Sequence, residues 1–215
     1  MYFAIEGVIG VGKTTLARLL QPSFNAELQL EVFEENPFLS DFYSDRARYA
    51  FQTQIFFLLS RYQQQRRNIP QLLADGRNVI SDYTFEKDSL FASINITGDE
   101  LDMYYRVHEA LAEKIPTPDL IVYLRASTEV LMQRIALRDR PYERQMERDY
   151  INTLNLAYDD FFKSERTTPV RIIETDHLNY VQSPEDLRRV EELIRQALQN
   201  PPLQPLLPLT AGDEA

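Results

Sequence analysis

Residues 7–14 form the feature of the sequence that most restricts its fold. They read GVIGVGKT and match the phosphate-binding pattern G-x-x-x-x-G-K-[ST] in full. The pattern follows an apolar segment at residues 2–6, which predicts a strand, and it opens a segment at residues 13–20 that predicts a helix. A loop between a strand and a helix binds phosphate through backbone N–H groups and the helix dipole. The sequence therefore predicts an α/β fold that binds a phosphate-bearing ligand.

The residue types in this loop predict separate roles. Glycine lets the backbone close around phosphate oxygens without a clashing side chain. Lys13 supplies a mobile cation for the β- and γ-phosphates of a nucleotide, and Thr14 supplies a ligand for Mg²⁺. The predicted nucleotide-binding residues are Gly7, Gly10, Gly12, Lys13, Thr14 and Thr15. Lys13 is also predicted to be catalytic.

Apolar strands alternate with helices along the rest of the chain. The predicted strands are residues 2–6, 28–33, 78–81, 120–124 and 171–174. The predicted helices are residues 13–20, 49–67, 85–94, 99–113, 128–138, 144–163 and 183–198. This alternation indicates a doubly wound α/β fold with a central parallel sheet of about five strands, covered on both faces.

Length and composition limit the organisation and the partners. The chain has 215 residues, which suits one α/β domain over residues 1–199; we expect the proline-rich tail at 200–215 to be disordered or to lie on the surface. A net charge of −10 argues against a nucleic acid or an anionic membrane as the main partner. Cysteine is absent, and we see no signal peptide or long apolar run, so a cytoplasmic location is expected.

Further motifs follow the phosphate-binding loop in a characteristic order. They are EVFEENP at residues 31–37, a tyrosine at 43, YAFQTQ at 49–54 with SR at 60–61, VISDY at 79–83, and arginines at 134, 138 and 140 with a glutamate at 143. In this order and spacing, residues 1–195 resemble the deoxynucleoside kinase family, and its bacterial deoxyadenosine/deoxyguanosine kinase branch most closely. The resemblance implies ATP- and Mg²⁺-dependent 5′-phosphorylation of a deoxyribonucleoside, with a purine favoured. It also implies a homodimer, which the apolar run at 55–59 would suit.

Glu31 matches the family's carboxylate that accepts the proton of the 5′-hydroxyl. In the sequence, Leu28, Leu30 and Val32 alternate with polar residues, which places Glu31 at the carboxyl rim of a parallel strand. Ligands of open α/β sheets bind at this rim. Glu34 and Glu35 crowd the same segment and remain alternatives for the base.

The resemblance also implies residues that hold the acceptor. Tyr43 and Glu143 match the pair that binds the sugar 3′-hydroxyl, and Gln54 matches the amide that reads the base. Arg61 lies seven residues after Gln54, on nearly the same helix face, and is expected to support it. Phe91 matches an aromatic that stacks on the base, although an aromatic at helical spacing is more often part of a core.

Three arginines fall in a predicted lid at about residues 134–146. Arg134 and Arg138 share a helix face, and Arg140 follows at the helix end. We expect the three to be catalytic, since such a cluster neutralises charge on the transferring phosphoryl group. Pairing with Glu129 and Glu143 on an exposed face is the alternative.

One motif departs from the family pattern. The usual acid-Arg-Ser triplet is here Asp82-Tyr83-Thr84. Asp82 keeps the acid, which the resemblance assigns to substrate and Mg²⁺ together with Thr14, but the arginine is missing. Lys87 is a replacement cation if the next helix has begun by that residue; otherwise it is a solvated helix residue.

Two other functions fit the phosphate-binding loop. A nucleoside monophosphate kinase of the thymidylate type shares the loop and an arginine lid, but it needs extra cations for the acceptor's phosphate. A catalytically inactive P-loop protein is the second alternative. The presence of Lys13, Thr14, Glu31 and Asp82 argues against the second.

Overall fold

A five-stranded parallel sheet lies at the centre of the computed structural model, which describes residues 1–164 and 167–202. The strands are β1 (Tyr2–Glu6), β2 (Ala26–Gln29), β3 (Asn78–Ser81), β4 (Leu120–Arg125) and β5 (Val170–Glu174). Their spatial order is β2-β3-β1-β4-β5, and every pairing is parallel. The predicted fold class is confirmed.

Helices cover both faces of this sheet. They are α1 (Lys13–Phe24), α2 (Leu39–Ser44), α3 (Arg46–Ala74), α4 (Lys87–Asn95), α5 (Gly98–Ala112), α6 (Thr128–Arg138), α7 (Arg148–Lys163) and α8 (Pro184–Gln199). All of β1 is buried. Phe3 packs edge-on against Phe24 of α1 at 5.1 Å, whereas Tyr2 clusters with Ile69 of α3. Because neighbouring side chains of a strand point to opposite faces, α1 and α3 lie on opposite sides of the sheet.

The second strand ends earlier than its apolar alternation predicts. β2 stops at Gln29, which is 6 % exposed, whereas Val32 is 37 % exposed, so the predicted inward and outward sides are wrong here. The chain leaves the sheet because the backbone N–H of Glu31 donates to Asp82 Oδ1 at 2.8 Å instead of to a neighbouring strand. Glu31 therefore lies just beyond the strand, still at the carboxyl edge of the sheet.

Several helix bounds differ from the predictions; α1, for example, continues to Phe24 instead of ending near residue 20. α3 runs through Pro70, because Ile69, Leu72 and Leu73 on its last turns pack beside Tyr2. α2 was not predicted. α7 begins at Arg148, four residues later than predicted, after a 3₁₀ turn at Pro141–Glu143 and four residues outside any helix.

α8 ends at Gln199. The tail that is predicted to be disordered or on the surface spans residues 200–215, of which residues 203–215 lie outside the described residues. Within the described ranges, no helix is long and apolar enough to cross a membrane.

Candidate active site

A cavity of about 400 Å³ opens where β1, β2 and β3 end. Residues 7–14 follow β1, Glu31 follows β2 and Asp82 follows β3 directly. The carboxyl ends of parallel strands meet at one edge of the sheet, so three distant segments of sequence converge there. Nearly all predicted site residues line this cavity: Gly10, Gly12, Lys13, Thr14, Thr15, Glu31, Tyr43, Gln54, Arg61, Asp82, Phe91, Arg138, Arg140 and Glu143.

The phosphate-binding loop needs glycine where it turns. Gly12 has φ +104°, a left-handed conformation, and a Cβ there would collide with the hydroxyl of Tyr180. Lys13 Nζ donates to the carbonyl oxygens of Gly7 at 2.6 Å and Val8 at 3.3 Å, across the mouth of the loop. Burial, and next the ammonium of Lys87, lower the pKa of Lys13 to about 8. Bound phosphates would reverse this effect and favour the charged lysine.

Thr14 and Asp82 provide oxygen atoms that suit Mg²⁺. The Thr14 hydroxyl donates a short hydrogen bond to Asp82 Oδ2. One hydroxyl and one carboxylate, completed by nucleotide phosphates and water, match the way Mg²⁺ is usually held. No cluster of three or more acidic, histidine or cysteine side chains within residues 1–164 and 167–202 forms an all-protein metal cage.

Two cations hold the carboxylate of Glu31. Arg61 Nε donates to Oε1 at 2.8 Å, and Lys87 Nζ lies 3.1 Å from Oε2. Burial would raise the pKa of Glu31, but the charges of Arg61 and Lys87 outweigh it and hold this pKa well below its ordinary range. The structure thus brings an ionised carboxylate into the same cavity as the phosphate-binding loop.

Tyr43 and Glu143 approach one another although 100 residues separate them. Tyr43 stacks on Tyr142 with ring centroids 5.8 Å apart. Burial, with Tyr150 and Glu143 nearby, raises the pKa of Tyr43 well above its ordinary value, so the phenol stays neutral. A neutral phenol beside a carboxylate can donate to and accept from a sugar hydroxyl.

The end of the cavity around Gln54 is more apolar. Gln54 is 3 % exposed and lines the cavity with Phe57 and Phe91. Phe91 lies edge-on to Tyr158 at 6.1 Å. An amide among aromatic rings fits a flat heterocycle that needs both stacking and hydrogen bonds.

The lid arginines divide into two groups. Arg138 clamps Glu143, with Nε 3.0 Å from Oε2 and Nη2 2.7 Å from Oε1, and Arg140 lies 3.6 Å from the same carboxylate. Arg134 is placed differently. Its guanidinium donates to the carbonyl oxygen of Val11 at 3.2 Å and that of Thr175 at 2.7 Å, outside the 400 Å³ cavity.

Arg134 therefore lies apart from the two arginines with which it is predicted to act. Two residues on the same face of a helix need not contact the same partner. α6 lies against the phosphate-binding loop at the turn that carries Arg134 and against the lid at the turn that carries Arg138. Arg134 instead ties residue 11 of the loop to the segment after β5. Glu129, the other candidate partner, pairs with Arg148 and not with the cluster.

Sequence reasoning missed Asp88 and left Lys87 open. Asp88 is fully buried and forms an ion pair with Arg61, and Lys87 is the first residue of α4. The sequence signal for these two residues was a basic side chain next to an acidic one near the start of a predicted helix. Their burial depends on α3 packing against α4, which no local pattern shows.

The family follows from comparison with known proteins. A model of the family described as deoxynucleoside kinase matches residues 3–199. The chain belongs to the deoxynucleoside kinase family. It is therefore an enzyme that phosphorylates deoxynucleosides, which favours the first interpretation of the sequence over the two alternatives.

Individual relatives of this deoxynucleoside kinase agree. It is 32 % identical over 201 residues to a deoxyguanosine kinase of Bacillus subtilis, covering 92 % of this chain and 97 % of that one. It is 38 % identical over 175 residues to a deoxyadenosine kinase of Dictyostelium discoideum, covering 79 % and 70 %. A solved deoxyadenosine kinase from M. mycoides with bound dATP is 25 % identical with a TM-score of 0.78, covering 91 % of this chain and 99 % of that one.

Proposed function

We propose that this deoxynucleoside kinase transfers the γ-phosphate of ATP to the 5′-hydroxyl of a purine deoxyribonucleoside. The observation that carries the proposal is the position of Glu31, whose ionised carboxylate shares one cavity with Lys13 and Asp82. A carboxylate beside a phosphate site suits an acceptor that must lose a proton. A purine acceptor is supported by the relatives named for deoxyguanosine and deoxyadenosine.

The residues divide the work of phosphoryl transfer. Glu31 accepts the hydroxyl proton, and Lys13 neutralises charge on the β- and γ-phosphates. Thr14 and Asp82 would hold Mg²⁺, which would neutralise further phosphate charge. Tyr43 and Glu143 bind the 3′-hydroxyl of the sugar, while Gln54 and Phe91 hold the base.

The lid is proposed to act late in the reaction. In the structure, Arg138 and Arg140 pair with Glu143 at the cavity edge. An acceptor hydroxyl that binds Glu143 competes for those contacts and frees a guanidinium to turn toward the phosphates. Planar guanidinium groups suit the several oxygens of a transferring phosphoryl group.

A substrate panel and one pair of variants test this function. Wild-type enzyme is assayed with ATP and deoxyadenosine, deoxyguanosine, deoxycytidine, thymidine or dTMP, and the purine deoxynucleosides are expected to react fastest. Glu31→Gln should lower kcat roughly 10²–10⁴-fold with little change in nucleoside affinity. Glu35→Gln, at an exposed residue of the same segment, is the matched control and should stay near wild type.

Two results would contradict the proposal. A clear preference for dTMP would favour the monophosphate kinase, and a loss of activity in Glu35→Gln with an active Glu31→Gln would move the base to the other acid.

We also infer a homodimer and a cytoplasmic location. Leu59 on α3 and Met103 on α5 are 43 % and 56 % exposed, and these two helices pack side by side. Leu58, within the predicted run at 55–59, is instead part of the core. Light scattering of wild type beside Met103→Glu checks the association. The location remains a prediction from composition.

A further inference from the structure

Lys87 is the first residue of α4, a position at which a lysine side chain can extend into solvent, yet it is buried. Its side chain is 4 % exposed, and its ammonium lies 3.1 Å from Glu31 Oε2 and 5.6 Å from the ring centroid of Tyr83. Lysine is almost never fully buried unless paired. The side chain therefore points into the active-site cavity, which it lines.

Stability alone is a weak reason for this placement. Arg61 already occupies the other oxygen of Glu31, and Asp88 balances part of the charge of Arg61. A buried ion pair seldom stabilises a fold more than apolar residues of the same size. The second cation beside Glu31 is thus better explained by something that the cavity binds.

Lys87 lines the same cavity as Lys13 and Glu31. Burial, and next the charge of Lys87, lower the pKa of Lys13. Two like charges that face one cavity repel each other, and an anionic group bound in the cavity would reduce that repulsion. Lys13 serves the phosphate-binding loop, so Lys87 faces the same space from the side of the acceptor.

We propose that Lys87 is a catalytic residue that contacts the phosphoryl group during its transfer, on the acceptor side. This inference rests on the proposed function. The 5′-oxygen forms a bond to the γ-phosphorus while the bond from that phosphorus to the β,γ-bridging oxygen breaks. The hydroxyl proton passes to Glu31, and the electron pair of the broken bond stays on ADP. Lys87 keeps its protons and stabilises the charge on the transferring oxygens.

The chemistry of lysine suits this role better than that of the neighbouring arginine. An ammonium has three donors, so Lys87 can keep one hydrogen bond to Glu31 and give another to the phosphoryl group. Arg61 is committed to Glu31 and Asp88 through opposite sides of its guanidinium. Lys87 consequently supplies the charge that no arginine after Asp82 supplies in this sequence.

A double-mutant cycle tests whether Lys87 does more than hold Glu31. Single-turnover rates are measured at saturating ATP and the best deoxynucleoside for wild type, K87M, E31Q and the double variant. K87M should be slower by about 10²-fold or more, the scale for losing one preorganised charge. If Lys87 contacts the phosphoryl group, the double variant should also be at least about 10-fold slower than E31Q.

The cycle guards against simple misfolding. K87M leaves Glu31 short of a partner, but the double variant removes both charges and is expected to fold. Nucleoside and ATP affinities from calorimetry should change by less than about threefold in the double variant relative to E31Q. Lys114→Met, at an exposed lysine after α5, is the matched control and should keep the wild-type rate.

Each result is decisive. A double variant as fast as E31Q would show that Lys87 only positions Glu31 and would overturn the proposal. A K87M variant with the wild-type rate would also overturn it. The proposed function fails separately, because a wild-type enzyme that phosphorylates no deoxynucleoside would show it before any variant is compared.

Discussion

Arg134 and Arg138 lie one turn apart on α6 but contact different parts of the molecule. Arg134 donates to backbone oxygens of Val11 and Thr175, whereas Arg138 holds Glu143 at the cavity edge. A guanidinium bound to buried carbonyl groups contributes mainly to stability, since its loss leaves those acceptors without donors. A guanidinium at the edge of a cavity is free to exchange partners when substrate binds.

The two residues should therefore separate stability from catalysis. Arg134→Ala is expected to lower the free energy of unfolding by about 1–3 kcal/mol. Arg134→Ala should leave the single-turnover rate near wild type. Arg138→Ala is expected to lower that rate about 10²-fold or more, with a similar direction for Arg138→Lys because a point charge cannot replace a planar fork. Urea unfolding and quench-flow measure the two effects.

Arg144→Ala is the matched control for both measurements. Arg144 pairs only with exposed Asp139 in the described structure, at 2.7 Å, and such pairs contribute little. An Arg134→Ala variant that is slow but as stable as wild type would contradict this prediction and would indicate that Arg134 acts in catalysis.

At the scale of elements, the positions where helices end determine the direction of the loops and strands that form the site. α1 carries the phosphate-binding loop at its start and must stop before β2 begins two residues after its end. Asn25 ends it in a left-handed conformation with φ +45° and ψ +54°, and its N–H reaches the carbonyl oxygens of Gln21 and Pro22. Asparagine tolerates this conformation, as glycine does.

A substitution at Asn25 should test that turn. Asn25→Val should lower the free energy of unfolding by about 1–2 kcal/mol, because a β-branched residue resists the left-handed region. Asn25→Gly should change it little, and kcat should be unaltered in both. Equal stability of the two variants in urea titrations would show that backbone conformation at residue 25 is not what limits the helix end.

At the scale of the whole molecule, one histidine connects stability to pH. His108 of α5 stacks on Phe85 at 4.8 Å, and its Nε2 lies 3.4 Å from the Phe85 carbonyl oxygen. Burial lowers the pKa of His108, while the Phe85 carbonyl, Glu86 and Glu109 oppose the shift without cancelling it. The folded protein thus takes up a proton at lower pH than the unfolded chain.

The sign of the pH effect follows from this difference. As pH falls through the ordinary histidine value of about 6.5, the unfolded chain binds a proton before the folded protein does, so the free energy of unfolding decreases. His108→Gln should remove that loss between about pH 7.5 and 6. His177→Gln, at the exposed second histidine, should retain the wild-type slope. Identical slopes in all three proteins would refute the role of His108.

The sequence by itself determined the parallel sheet, the phosphate-binding loop and most of the predicted residues that line the cavity. The spacing of glycines, the alternation of strands and helices, and helix caps are local properties of the sequence. Ser127 is an example, since its side chain caps α6 by accepting the Val130 N–H at 3.4 Å. Their physical basis lies in backbone conformation and in hydrogen bonds between near neighbours.

Only the tertiary structure decided which cations serve which acids. Arg61, Lys87 and Asp88 lie near Glu31 because α3 and α4 pack together beside the end of β2. Arg134 contacts the phosphate-binding loop and not the lid because α6 lies against that loop. The early end of β2 also depends on a long-range contact. The backbone N–H of Glu31 donates to the carboxylate of Asp82 and not to the backbone of a neighbouring strand. Long-range electrostatic pairing depends on distances in space, and a sequence pattern carries only distances along the chain.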